Sequence, residues 1–150
     1  MFTNKTRCPV ALLVPVIDHA RRAIGAPECA VKITRSKGER ITGCAMRVGK
    51  MFSVKVSLPV FKHDALACAY RFWEVCLHEF GHIKDYAREN LEFAYYRNGA
   101  SARRIRHDSR PQEIRAERYK EEVKQQIANG TLFGCDNAIL DLAIWLEKQQ

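Results

Sequence analysis

The chain has 150 residues, 47% of them hydrophobic and 28% charged, with a formal net charge of +8. That length suits one domain, residues 1–150, with one real core, and the balance excludes general disorder. No apolar run reaches the ~20 residues that a membrane helix needs.

Lys5 and Arg7 precede an apolar stretch at 9–17, an order that resembles a short signal peptide. Asp18, His19, Arg21 and Arg22 follow where a small-residue cleavage site belongs. Leu13, Val16, Ile17, Ala20 and Ile24 instead mark one face of an amphipathic helix over residues 9–25. Gly25 and Pro27 stop it, and Pro15 inside it is expected to delay its start or kink it. The six cysteines, Cys8, Cys29, Cys44, Cys68, Cys76 and Cys135, form no CxxC pair and sit among apolar neighbours. Buried free thiols, and hence a cytoplasmic protein, are expected.

The hydrophobic period then changes to two. Cys29, Val31 and Ile33 form one alternating set, Thr42, Cys44, Met46 and Val48 a second, and Phe52, Val54, Val56 and Leu58 a third. Short breaks separate the runs, so a small three-stranded, mainly antiparallel sheet with one buried face is expected. Pro59 ends the last strand. Asp64 suits the cap of a long helix reaching about residue 88, whose expected core stripe is Leu66, Tyr70, Trp73, Leu77 and Phe80. Gly81 inside that helix costs about 1 kcal/mol relative to Ala, which suggests close approach by another backbone. A short helix at 90–97 and an exposed, mobile, arginine-rich loop at 97–110 are expected next. Ser109 and Gln112 have capping-box spacing, and Pro111 suits the first turn of a further helix. Its stripe is Ala116, Tyr119, Val123 and Ile127, and Asn129 and Gly130 stop it. A last helix starts near Asp136, with Ile139, Leu142, Ala143 and Leu146 inward. The fold class is α+β: an N-terminal helix, the small sheet, a central helix and further C-terminal helices.

Charge is uneven. Residues 1–63 carry twelve Lys and Arg against three acids, and the remainder is nearly neutral at −1. A basic half suits nucleic acid or an acidic protein partner; solvated strand faces and loops are the simpler explanation.

The long helix holds His78, Glu79, Phe80, Gly81 and His82, an HExxH pattern. Residues four apart share a helix face, so two imidazoles can reach one ion, with Glu79 beside them to take a proton from water. A catalytic zinc site needs a third protein ligand. Asp85, His107, Glu113 and Glu117 are the candidates. Asp85 lies seven residues from His78, about 10.5 Å of helix rise, which suits a supporting or solvent-facing place better than a ligand.

An HExxH helix followed by a helix with a Glu ligand resembles the gluzincin metallopeptidases, the thermolysin-like group. The second element in several of them reads E-x-x-A/S-D/N-x-F/Y. Here it reads Glu113, Ile114, Arg115, Ala116, Glu117, Arg118, Tyr119. The small ImmA/IrrE-type and phage- or plasmid-borne peptidases are the nearest likeness, over about residues 64–120. The metzincin pattern fails, because Asp85 and Arg88 stand where it wants Gly and His. The resemblance implies a minimal zincin fold in which His78, His82 and Glu113 bind Zn2+ and Glu79 is the general base. It puts Glu117 where an Asp or Asn hydrogen-bonds a ligand histidine. Glu117 is longer than that residue, and Lys120 replaces the familiar Ala. The implied activity is zinc-dependent hydrolysis of a protein or peptide substrate. His107, Tyr95, Tyr96 and Tyr119 are candidate oxyanion donors. The strand at 52–58 is implied to be an edge that aligns the substrate. The alternative function is a basic nucleic-acid- or protein-binding module with a structural or vestigial zinc site.

Overall fold

The computed structural model describes residues 1–36, 38, 40–48, 50–59, 64–88 and 110–149. Strand β1 (Phe2–Asn4) leads into helix α1 (Val10–Ile24). Strands β2 (Ala30–Arg35), β3 (Gly43–Val48) and β4 (Met51–Leu58) follow, and then helices α2 (Ala65–Ala87), α3 (Pro111–Ala128) and α4 (Asp136–Glu147). The fold is α+β. Helix α1 buries Leu13, Val16, Ile17, Ala20 and Ile24, the expected face. It runs unbroken from Val10 despite Pro15, and Gly25 closes it at φ 81°.

The sheet differs from the expected three-stranded antiparallel meander. It has four strands in the order β1-β2-β4-β3. β1 pairs with β2, and β2 with β4, in parallel; only β3 and β4 form an antiparallel hairpin. β1 is three residues long, too short to show alternation, and parallel pairing with β2 becomes possible because α1 supplies the crossover. β4 inserts between β2 and β3 because it is the most deeply buried strand, with Val54, Val56, Ser57 and Leu58 all enclosed. Ser57 is accommodated by Thr42, whose N–H donates to Ser57 Oγ at 2.8 Å. The strand at 52–58 is therefore central, and β3 takes the edge.

β3 also turns the opposite face inward from the one its apolar residues suggest. Cys44 and Met46 are exposed, while Ala45 is buried. The strand packs against α2, and small residues at Gly43 and Ala45 permit that approach.

Helix α2 is the centre of the molecule and touches α1, α3, α4, β3 and β4. Its start is fixed by Asp64, whose carboxylate accepts the Ala67 N–H at 3.0 Å. Trp73, Leu77 and Phe80 of the expected stripe are buried, but Leu66 and Tyr70 are exposed. The drift of a 3.5-residue spacing is only about 20° per heptad. Leu66 and Tyr70 are exposed because they lie in the first turns of α2, where they line a surface groove with Ile139 and Leu140 of α4. Helix α3 begins at Pro111, with Arg110 at the cap position; among the described residues no side chain caps it. Asn129 caps its end and Gly130 follows at φ 75°. Ser109, the helix expected at 90–97 and the arginine-rich loop up to 109 lie outside the described residues. All six cysteines are free: Cys8, Cys76 and Cys135 are buried, Cys29 and Cys68 half-buried, and Cys44 exposed. Among the described residues, no helix is long and apolar enough to cross a membrane.

Candidate metal centre

Two helices meet at the site, and the meeting depends on small residues. A Cβ on Gly81 would lie 3.2 Å from Ala116 Cα and 3.3 Å from the Tyr119 ring. Ala116 is fully buried. With no side chain at 81 and only a methyl at 116, α3 can lie directly across α2. Glu113, in the first turn of α3, then faces the two histidines of α2. A carboxylate is also favoured there by the positive end of the helix dipole.

Three potential ligand atoms converge. His78 Nε2 lies 2.7 Å from Glu113 Oε2, and His82 Nε2 lies 3.2 Å from both. Two imidazole nitrogens and an anionic oxygen are a zinc-type donor set, and tetrahedral bonds near 2.0 Å would set such atoms about 3.3 Å apart. Lone pairs gathered this closely repel unless a cation, proton or metal, stands among them. The donor set and its spacing therefore fit a zinc ion. His78, His82 and Glu113 are also the described residues that together could hold an ion.

The outer partners fix the geometry. His78 Nδ1 donates to Glu117 Oε1 at 2.7 Å, which directs Nε2 toward Glu113. The other Glu117 oxygen binds Lys120 Nζ at 2.6 Å. Lys120 is itself buried, and it anchors the Glu117 side chain. Burial alone would lower the His78 pKa; its hydrogen bond to Glu113 and the charges of Glu79, Glu113 and Glu117 outweigh that and hold it raised. Burial pushes Glu113 up, but the bonds from His78 and His82 prevail and hold its carboxyl far below the usual range. Burial likewise opposes ionisation of Glu117, and Lys120 and His78 together hold its pKa down. The site is thus built to keep both carboxylates charged.

The chain matches no family model, no curated protein and no solved structure.

Glu79 is buried beside Gly43 at the head of β3. A Cβ on Gly43 would lie 2.6 Å from Glu79 Cγ, 2.7 Å from its Oε1 and 2.8 Å from Val75 Cγ1. Gly43 and Lys120 are the residues that sequence reasoning passed over. Gly43 carries no local signal, because its neighbours on α2 are distant in the chain; Lys120 stands three residues from Glu117 and registers in the sequence only as a departure from the resemblance. Asp85 is fully buried, not solvent-facing. Its Oδ1 accepts from Tyr119 Oη at 2.7 Å and from Arg115 at 3.0 Å, tying α2 to α3 one turn beyond the site. That commits the Tyr119 hydroxyl to Asp85 and away from any oxyanion. Tyr95, Tyr96 and His107 lie outside the described residues.

Proposed function

We propose that this chain is a zinc-dependent metallopeptidase of gluzincin type, with His78, His82 and Glu113 holding the metal. The observation that carries the reading is the convergence of two imidazole nitrogens and one carboxylate oxygen from two helices. A bound zinc ion supplies Lewis acidity, acidifying water and polarising a carbonyl oxygen. Glu79 follows a ligand histidine and lies about 100° around the helix from it. Its carboxylate, enclosed between Gly43 and Val75, accepts a proton from the attacking water and passes it to the leaving amine. Glu117 holds the His78 Nδ1 proton, so the ring neither rotates nor changes tautomer during turnover.

β3 is the outer strand next to this machinery among the described residues. An extended peptide can add to an edge strand by backbone hydrogen bonds, which favours a protein or peptide substrate. Six free thiols suit the reducing cytoplasm as the compartment.

Zinc-loaded protein is expected to cleave members of a peptide library, and Glu79→Gln to lose about 100- to 10,000-fold in rate while keeping its zinc. Equal rates for the two zinc-loaded proteins would refute the mechanism.

A second reading, a basic binding module with a structural or vestigial zinc site, is favoured by one feature. Lys32 and Lys55 are exposed and directly opposite each other on neighbouring strands, an arrangement that like charges disfavour without an anion. DNA binding at low salt that falls steeply with added salt, together with no hydrolysis of any peptide, would put that reading first.

A further inference from the structure

The cleft before the candidate metal centre contains two positive charges that the chemistry above does not use. Arg40, Ile41, Arg71 and Val75 share a cavity of about 590 Å³ with His78 and Glu79. Arg71 stands seven residues before His78 on α2. It is therefore displaced about 10.5 Å along the axis and only about 20° around it. Arg40 stands on the opposite wall, three residues ahead of β3.

Among the described residues, neither guanidinium is neutralised by a close carboxylate. Arg71 is 55% exposed and reaches Glu74 only at 4.0 Å, and Glu74 takes its shorter bond, 2.9 Å, from Lys124. Among the described residues Arg40 makes no ion pair. Of the three acids that line the cleft, Glu113 is held by the two histidines, Glu117 by His78 and Lys120, and Glu79 is buried beside Gly43, about two turns of α2 from Arg71.

A guanidinium binds carboxylate and phosphoryl groups through paired N–H donors. An extended peptide rises about 3.3 Å per residue, so 10.5 Å of cleft spans about three residues. We propose that Arg40 and Arg71 select substrates with an anionic group about three residues from the scissile bond. The inference rests on the peptidase reading and adds the substrate class to it.

The anion could be an Asp or Glu side chain, a phosphorylated residue or a free chain terminus, and a library separates them. End-blocked peptides carry Glu, Gln, Lys or phosphoserine at each of four positions on either side of the cleaved bond. A parallel set ends in a free carboxylate. Zinc-loaded wild type is expected to show kcat/KM about 10-fold higher for one anionic form over Gln near the third position. Arg40→Gln and Arg71→Gln should each reduce that ratio several-fold, mainly through KM. Arg71→Glu should turn the preference toward Lys. Equal rates for anionic and Gln peptides at every position, or a ratio unchanged in both Gln variants, would overturn the proposal.

If wild type cleaves nothing, the peptidase reading falls, and fluorescence anisotropy of the same peptides on zinc-loaded Glu79→Gln decides this proposal by itself. Tighter binding of the anionic peptide, lost when Arg71→Gln is added, supports it. Equal binding, or no binding, rejects it.

Discussion

A methyl group on Gly43 would come within 2.7 Å of Glu79 Oε1, closer than any packed carbon and oxygen can sit. The Glu79 carboxylate is the more movable neighbour and buried Val75 the stiffer one, so Gly43→Ala is expected to displace the carboxylate and to cost about 1–3 kcal/mol of stability. Misplacing a reacting group by about 1 Å costs on the order of 100-fold. Cleavage by Gly43→Ala should fall by about that factor with zinc retained; wild-type rates would show that Glu79 does not need the space. Glu117→Ala removes the group that orients His78 and should weaken zinc binding by about 10- to 100-fold, measured by competition with a chelator. The pairing of His78 and His82 was legible in the sequence because four-residue spacing on a helix fixes them to one face, while Glu113 was one of four candidates and was singled out only by the resemblance to the gluzincins. The support given by Gly43 was not, since a glycine's neighbours are set by packing between elements; the i,i+3 spacing of Glu117 and Lys120 could be read, but not the His78 contact that gives the pair its use.

Helix α3 reaches α2 through Gly81 and Ala116, and this contact carries Glu113 to the histidines. Gly81→Val would drive branched methyls into the α3 backbone. Overpacking of this kind costs about 1–3 kcal/mol, and it should also weaken zinc binding by separating the two helices. Unchanged stability in a urea titration, with unchanged zinc affinity, would mean that the contact yields freely. Asp85 ties the same helices together through Tyr119 and Arg115. Asp85→Ala leaves the Tyr119 hydroxyl and Arg115 without this acceptor and should cost about 1–3 kcal/mol while the metal is kept. The helices were readable from their apolar period, their glycine stops and Asp64. The order of the strands was not. Alternation reports which residues share a face, but pairing partners are chosen by burial across the whole sheet, and β3 reversed even its face because small residues lie against α2.

The molecule keeps its reactive groups apart. Burial pushes the Cys8 thiol up to about 12 and Cys135 up to about 11, and it raises Cys76 as well. A thiol-specific reagent near pH 8 should label exposed Cys44 first in the native protein and reach these three only on unfolding; early labelling of Cys76 would place it near the surface. At this scale the α+β class was legible from the change between periods of two and 3.6 residues. The position of the cleft was not, because it lies between a strand edge and a helix that are joined only by the fold. The metal centre is tested most directly by elemental analysis of the purified protein and its variants. One zinc per chain is expected in wild type and in Asp85→Ala, and none after dialysis in His82→Ala or Glu113→Ala. Wild type that carries no zinc and shows no tight site on titration, or a Glu113→Ala variant that keeps its zinc, would contradict the assignment.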